Sequence, residues 1–140
     1  MSTVHGNSII RRVFDEAFNQ GDLAVIDELI APASISHHFS WGVPDNRTGF
    51  KQLIAMFRKA FPDLSCTVED EISQAGRVAA HWTMRGTHLG LFLGNSPTNE
   101  QILVQALIYA RIENNQIIEN WTMIDQMGVL QQLGLVPPPR

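Results

Sequence analysis

The sequence predicts an α+β fold in which N-terminal helices pack on one face of a strongly curved antiparallel sheet and enclose an apolar cavity. Three observations carry that expectation. Apolar residues recur at helical spacing over residues 9–60. From Leu64 onward the period changes from helical to alternating. Asn114-Asn115 then separates two long alternating runs, and such a pair tolerates the positive φ that a two-residue hairpin turn requires.

Ile9, Ile10, Val13, Phe14, Ala17 and Phe18 line one face of a first helix, capped by Asn7 or Ser8 and stopped by Asn19-Gln20-Gly21. Asp22 reads as the cap of a second, shorter helix that uses Leu23, Ile26, Leu29 and Ile30, and Pro32 limits its extent. A loop carrying His37, His38, Trp41 and Pro44 follows. Thr48 reads as the cap of a third helix that buries Phe50, Leu53, Ile54, Phe57 and Ala60 and ends at Pro62-Asp63.

Leu64, Cys66, Val68 and Ile72 then alternate, Gly76 turns the chain, and residues 77–85 alternate again. Val78, Ala80, Trp82 and Met84 share one face of that strand, and His81 and Arg85 share the other. Residues 86–97 are glycine-rich, carry no clean period and read as a long loop. Strands over 102–113 and 117–125 flank the Asn114-Asn115 turn. A short helix over 127–133 precedes Pro137-Pro138-Pro139, which cannot be helical. The whole reads as a single domain over 1–140, with 1–6 and 136–140 as flexible tails.

Composition narrows the partners. The formal net charge of -4 comes from scattered residues, so no stripe invites nucleic acid and no polybasic patch invites a membrane surface. Cys66 is the single cysteine, which rules out an internal disulfide and a thiolate zinc cluster within one chain. Neither a leader pattern nor a bilayer-length apolar run is apparent, so a cytoplasmic protein is expected. No metal or cofactor motif is found.

A bulge-free register from Asn114-Asn115 sets Ile112 opposite Ile117, Ile108 opposite Trp121, Ala106 opposite Met123 and Val104 opposite Asp125. One face would then carry apolar residues and a single carboxylate. Desolvation disfavours the charged form of such a group, raises its pKa and suits it to general acid/base work, which makes Asp125 the candidate proton-transfer residue. The same residue stands where a helix N-cap belongs, and that reading is left open. His37 and His38 are adjacent and point to opposite sides of an extended chain, so they cannot share a metal; one could line the pocket mouth. His88, after Gly86-Thr87, could swing over the pocket or make a structural hydrogen bond in its loop. Trp41, Trp82 and Trp121 offer stacking surfaces or serve as core. Phe14, Phe57, Met84, Phe92, Val104, Ile108 and Met123 complete the expected pocket walls.

Further motifs add a resemblance across nearly the whole chain. Arg85-Gly86-Thr87-His88 with Gly90, Phe92, Gly94 and Pro97-Thr98, then Arg111-Ile112, Glu119, Trp121 and Asp125, and Leu130-Gln131-Gln132-Leu133-Gly134, together with Ala60-Phe61-Pro62-Asp63-Leu64, closely resemble the SnoaL-like polyketide cyclase or ester-cyclase-like family of the nuclear transport factor 2-like superfamily. The resemblance implies a cone-like, cystatin-like α+β roll with a deep apolar cavity, a homodimer, and ring closure by intramolecular aldol condensation without metal or cofactor. It also implies an Asp on the last strand and a His on the strand before it. Here those positions fall on Thr122 and Ile108, leaving Asp125 as the nearby acid. The expected function is cofactor-free cyclisation, or related acid/base chemistry on an apolar carbonyl substrate, with Asp125 as base and His88, His38 or a water as oxyanion partner. The alternatives are a non-catalytic binding module for a small hydrophobic ligand or partner protein, and an epoxide-hydrolase-like enzyme, which would want two carboxylates bridged by an arginine.

Overall fold

A computed structural model of the chain describes residues 8–38 and 41–138. Asn7, the 1–6 tail and the end of the C-terminal tail lie outside the described residues. The expected helices on a sheet are present, with differences that matter for the site.

Helix α1, Ile9–Arg12, starts at Ser8, whose side chain accepts the Arg11 N–H, and passes directly into π-helical Val13–Phe18. Together they bury Ile10, Val13, Phe14, Ala17 and Phe18, the stripe that the helical period marks. At the end of the π turn, the Asn19 amide accepts the Cys66 N–H at 2.7 Å and donates to the Cys66 carbonyl at 2.8 Å. Helix α2, Ala24–Leu29, has Leu23 at its N-cap and no side-chain cap bond, so Asp22 does not play the capping role expected of it. Helix α3, Arg47–Ala60, is capped by Asn46, whose Oδ1 accepts the Gly49 N–H at 2.8 Å. Thr48 sits inside that helix.

Strand β1, Ile30–His37, occupies a segment expected to be helix end and loop. Among the described residues it pairs only with β5, Gln116–Ile124, and in parallel, so it is an edge strand; there a proline without an N–H is tolerated, and Pro32 falls in an irregular stretch of the register. Strands β2, Ser65–Gln74, β3, Arg77–Thr87, and β4, Gln101–Glu113, form an antiparallel meander with β5, giving the order β1-β5-β4-β3-β2. Helix α4, Gln126–Gln132, closes the chain.

The β4–β5 register corrects the sequence reading. Ile112 does pair with Ile117, but Arg111 pairs with Glu119, which leaves Ile118 as an extra residue. Beyond this bulge the alternation is inverted: Ile108 stands opposite Thr122, Ala106 opposite Ile124, and Leu107 opposite Met123. Val104, Ala106, Ile108, Asn120 and Thr122 therefore belong to the buried face, and Trp121, Met123 and Asp125 to the other.

The core fills the space between that buried face and the helices. Phe14, Trp82 and Phe18 stack there, with ring centroids 4.3 Å apart for Phe14–Trp82 and 5.0 Å for Phe14–Phe18. Phe57, Phe61 and Phe92 form a second aromatic group beside Trp41.

Candidate functional site

The interior under the helices is apolar except for a short polar seam across β1 and β5. Ser36 pairs with Asn120 in the parallel register, and Asn120 Nδ2 donates to Ser36 Oγ at 2.8 Å. Thr122 Oγ1 in turn donates to Asn120 Oδ1 at 2.9 Å. Ser34 and His38 continue the inward parity of β1 on either side of Ser36, and both are buried. The Ser34 hydroxyl has no partner among the described residues.

His38 is 1% exposed, its ring lies edge-on 5.6 Å from Phe50, and neither ring nitrogen has a partner of hydrogen-bond geometry among the described residues. Burial drives its pKa below the ordinary value, against the opposing pull of the Asn46 backbone and the Asp45 carboxylate. The result is a neutral imidazole that feels the Asn46 backbone and the Asp45 carboxylate without meeting either in hydrogen-bond geometry. Polar groups buried without partners usually answer to a ligand or an ordered water. The indole N–H groups of Trp41 and Trp82 are in the same condition.

His88 is fully buried at the other end of the interior. Its Nδ1 accepts the Thr98 backbone N–H at 3.1 Å and meets Thr98 Oγ1 at 3.0 Å, while Nε2 has no partner among the described residues. Its ring faces Phe61 and Phe92, at centroid distances of 5.7 Å and 6.2 Å.

Asp125 is elsewhere. It is exposed, and its Oδ1 accepts the Gly128 N–H at 2.9 Å, which makes it the N-cap of α4. The apolar pocket expected around it depended on a bulge-free hairpin. Of the expected pocket walls, Phe14, Trp41, Phe57, Trp82, Met84, Phe92, Val104 and Ile108 are buried in the core, whereas Met123 is 52% exposed and Trp121 lies under a stacked His37 on the outer face. His37 also meets Glu119 at 3.0 Å, and Glu119 reaches Arg111 at 3.1 Å. These contacts hold the Glu119 carboxyl below its ordinary pKa, the His37 hydrogen bond most of all. His81 likewise lies on the outer face, bonded to Gln105.

No carboxylate is among the buried polar residues described, so the paired carboxylates of an epoxide-hydrolase-like site are not assembled in this interior. Nor do three of His, Cys, Asp and Glu come together as a metal site among the described residues. Burial raises the Cys66 thiol pKa and leaves it unreactive. Ile108 and Thr122, the positions that the resemblance assigns to a His and an Asp, do stand directly opposite each other on the buried face. Sequence reasoning missed Ser34, Ser36, Asn120 and Thr122 as interior residues; the alternation Ser34-Ser36-His38 was the available signal, once β1 is read as a strand.

Comparison with known proteins agrees with this architecture. A family model described as SnoaL-like polyketide cyclase matches residues 8–133. The nogalonic acid methyl ester cyclase of Streptomyces nogalater is 29% identical over 124 residues, covering 84% of this chain and 90% of its own. IdmH of Streptomyces antibioticus superposes with a TM-score of 0.78 at 32% identity, covering 90% of this chain and 96% of that one. A SnoaL-like protein from Jannaschia sp. shares the fold with a TM-score of 0.80 at 23% identity, over 93% of this chain and 91% of that one.

Proposed function

The chain belongs to the SnoaL-like polyketide cyclase family, and from that premise we propose that it closes a ring in an apolar, carbonyl-bearing substrate held between the buried sheet face and the helices, with His38 as the base. The observation that carries the reading is His38 itself, a buried and neutral imidazole with no partner of hydrogen-bond geometry among the described residues. In an intramolecular aldol step, a His38 nitrogen takes the proton next to one carbonyl, the resulting carbanion forms a carbon–carbon bond to the second carbonyl, and the imidazolium returns the proton to the new alkoxide. The reaction is an isomerisation and consumes no co-reactant.

The polar seam supplies the charge stabilisation. Thr122 donates to Asn120 and Asn120 to Ser36, so the Ser36 hydroxyl hydrogen is left to donate to a developing enolate, as is the Trp82 N–H. Apolar walls hold the substrate folded and strengthen each of these interactions. Replacement of the family's Asp and His positions by Thr122 and Ile108 is what moves the proton transfer to His38.

Turnover of nogalonic acid methyl ester, the compound named for the Streptomyces nogalater relative, is the first assay. His38→Gln should lower kcat by about 100-fold or more, the ordinary size of a lost general base. Asp125→Asn should leave it within about threefold, since it is a cap residue. Full activity in His38→Gln, or its loss in Asp125→Asn, would overturn the assignment; tight binding with no turnover by the unmodified protein would make it a binding module. The exposed apolar outer face supports a further part of the reading, that two copies pack sheet to sheet as a homodimer.

A further inference from the structure

The proposed chemistry uses the end of the interior around His38 and leaves the other end unexplained. His38 meets α3 at Phe50, and Trp41 meets it at Phe57, with ring centroids 5.0 Å apart. Two helical turns separate those contacts, about 10 Å along the axis at ~1.5 Å per residue. At the Phe57 end, Trp41 and His88 both touch the Phe92 ring.

The two residues share an uncommon condition. Trp41 is 4% exposed and His88 is 0% exposed, and Trp41 Nε1 and His88 Nε2 are both without hydrogen-bond partners among the described residues. The indole nitrogen can only donate. The imidazole would ordinarily be free to donate or accept, but its loop removes the choice. The Thr98 N–H points at Nδ1, so that nitrogen must carry a lone pair. Thr98 Oγ1 accepts the Glu100 N–H at 3.2 Å, which leaves its own hydrogen for the same lone pair. The ring is pinned further by its own backbone, through His88 N to Glu100 O at 2.9 Å and Asn99 N to His88 O at 3.0 Å. The hydrogen of the neutral ring therefore sits on Nε2.

Two fixed donors with nothing to donate to, from two different loops and in one aromatic cluster, select for an acceptor. We propose that Trp41 and His88 form a donor pair that anchors a carbonyl or phenol oxygen of the ligand at the end of the interior remote from His38, and so set which flat molecules are accepted. The pair positions and discriminates; it transfers no proton. This inference rests on the reading that the ligand occupies the concave interior, and it adds a length requirement, an oxygen about 10 Å from the reacting end.

The test uses two probes of one shape, anthraquinone, which bears two carbonyl oxygens, and anthracene, which bears none. Sites built to hydrogen-bond an oxygen reject the analogue lacking it. The unmodified protein should prefer anthraquinone by about 30-fold or more, and Trp41→Phe or His88→Phe should each cut the preference about tenfold while leaving anthracene affinity unchanged. Trp41→Phe keeps the aromatic packing, so it remains informative if His88→Phe loosens the loop. Nitrogen-15 spectra of the imidazole should show hydrogen on Nε2 and a bare Nδ1 in His88. A preference untouched by both substitutions, hydrogen on Nδ1, or a folded protein that binds neither probe overturns the proposal. His38→Gln should preserve the preference while lowering turnover by about 100-fold or more, so an error in the base and an error in the anchor give different results.

Discussion

An imidazole cut off from water carries its own pH signature. In the unfolded chain His38 takes up a proton near its ordinary pKa of about 6.5, whereas the folded protein resists that proton because burial has lowered the pKa. As pH falls through ~6.5 the unfolded state binds more protons than the folded one, so stability is lost between the ordinary value and the lowered one, by at most about 1.4 kcal/mol per pH unit. Urea midpoints at pH 7.5 and 5.5 should therefore fall further apart for the unmodified protein than for His38→Gln; equal spacing would mean that the ring is solvated. The opposite orientation of His37 and His38 was legible in the sequence, because adjacent residues in an extended chain must diverge. The placement of Asp125 was not, since its sidedness depended on a single unpaired residue, Ile118, just past the Asn114-Asn115 turn, and nothing in the local sequence marks that bulge.

Among the elements, the junction of the π turn with β2 is the sharpest local device. β2 is an edge strand, and Asn19 occupies both polar groups of Cys66 that its strand partner, β3, does not. Asn19→Ala would leave those groups unpaired under the helix, at a cost of about 1–3 kcal/mol, visible as a lowered urea midpoint with the slope unchanged. A change below about 0.5 kcal/mol would mean that water replaces the amide without loss. The helices and the β2–β5 meander were readable from periodicity, because each buries one stripe or one face. Strand β1 was not: Pro32, two serines and a histidine break the apolar alternation, and the inward serines serve the polar seam instead of the core. The caps shifted for a related reason. Asn46 and Thr48 both suit a helix start, and the choice between them is made by Asn46 reaching the Gly49 N–H.

Taken whole, the molecule has one face covered by helices and one left bare. Ile72, Leu103, Leu107 and Met123 are each at least half exposed on that outer face, with Tyr109 and Trp121 between them. Five strands about 4.8 Å apart give a surface large enough for the roughly 800 Å² per partner of a stable interface. Light scattering at micromolar concentration should therefore give twice the 15.7 kDa chain mass, and Leu107→Glu should return it to the single-chain value. An unmodified protein of single-chain mass would contradict the proposed homodimer. The α+β class followed from the change of period at Leu64. The parallel closure of β1 on β5 did not, because nothing local in either strand announces a partner so distant in sequence.

That closure sets a sequence of events during synthesis. β2, β3, β4 and β5 each pair with a neighbour that has just been made, whereas the Ser36–Asn120 hydrogen bond joins residues 84 apart. Long loops close late because their entropy must be met before the contact rewards it. A nascent chain therefore holds its first strand in waiting until β5 has cleared the ribosome, and the polar seam between β1 and β5 is complete only once the last strand arrives.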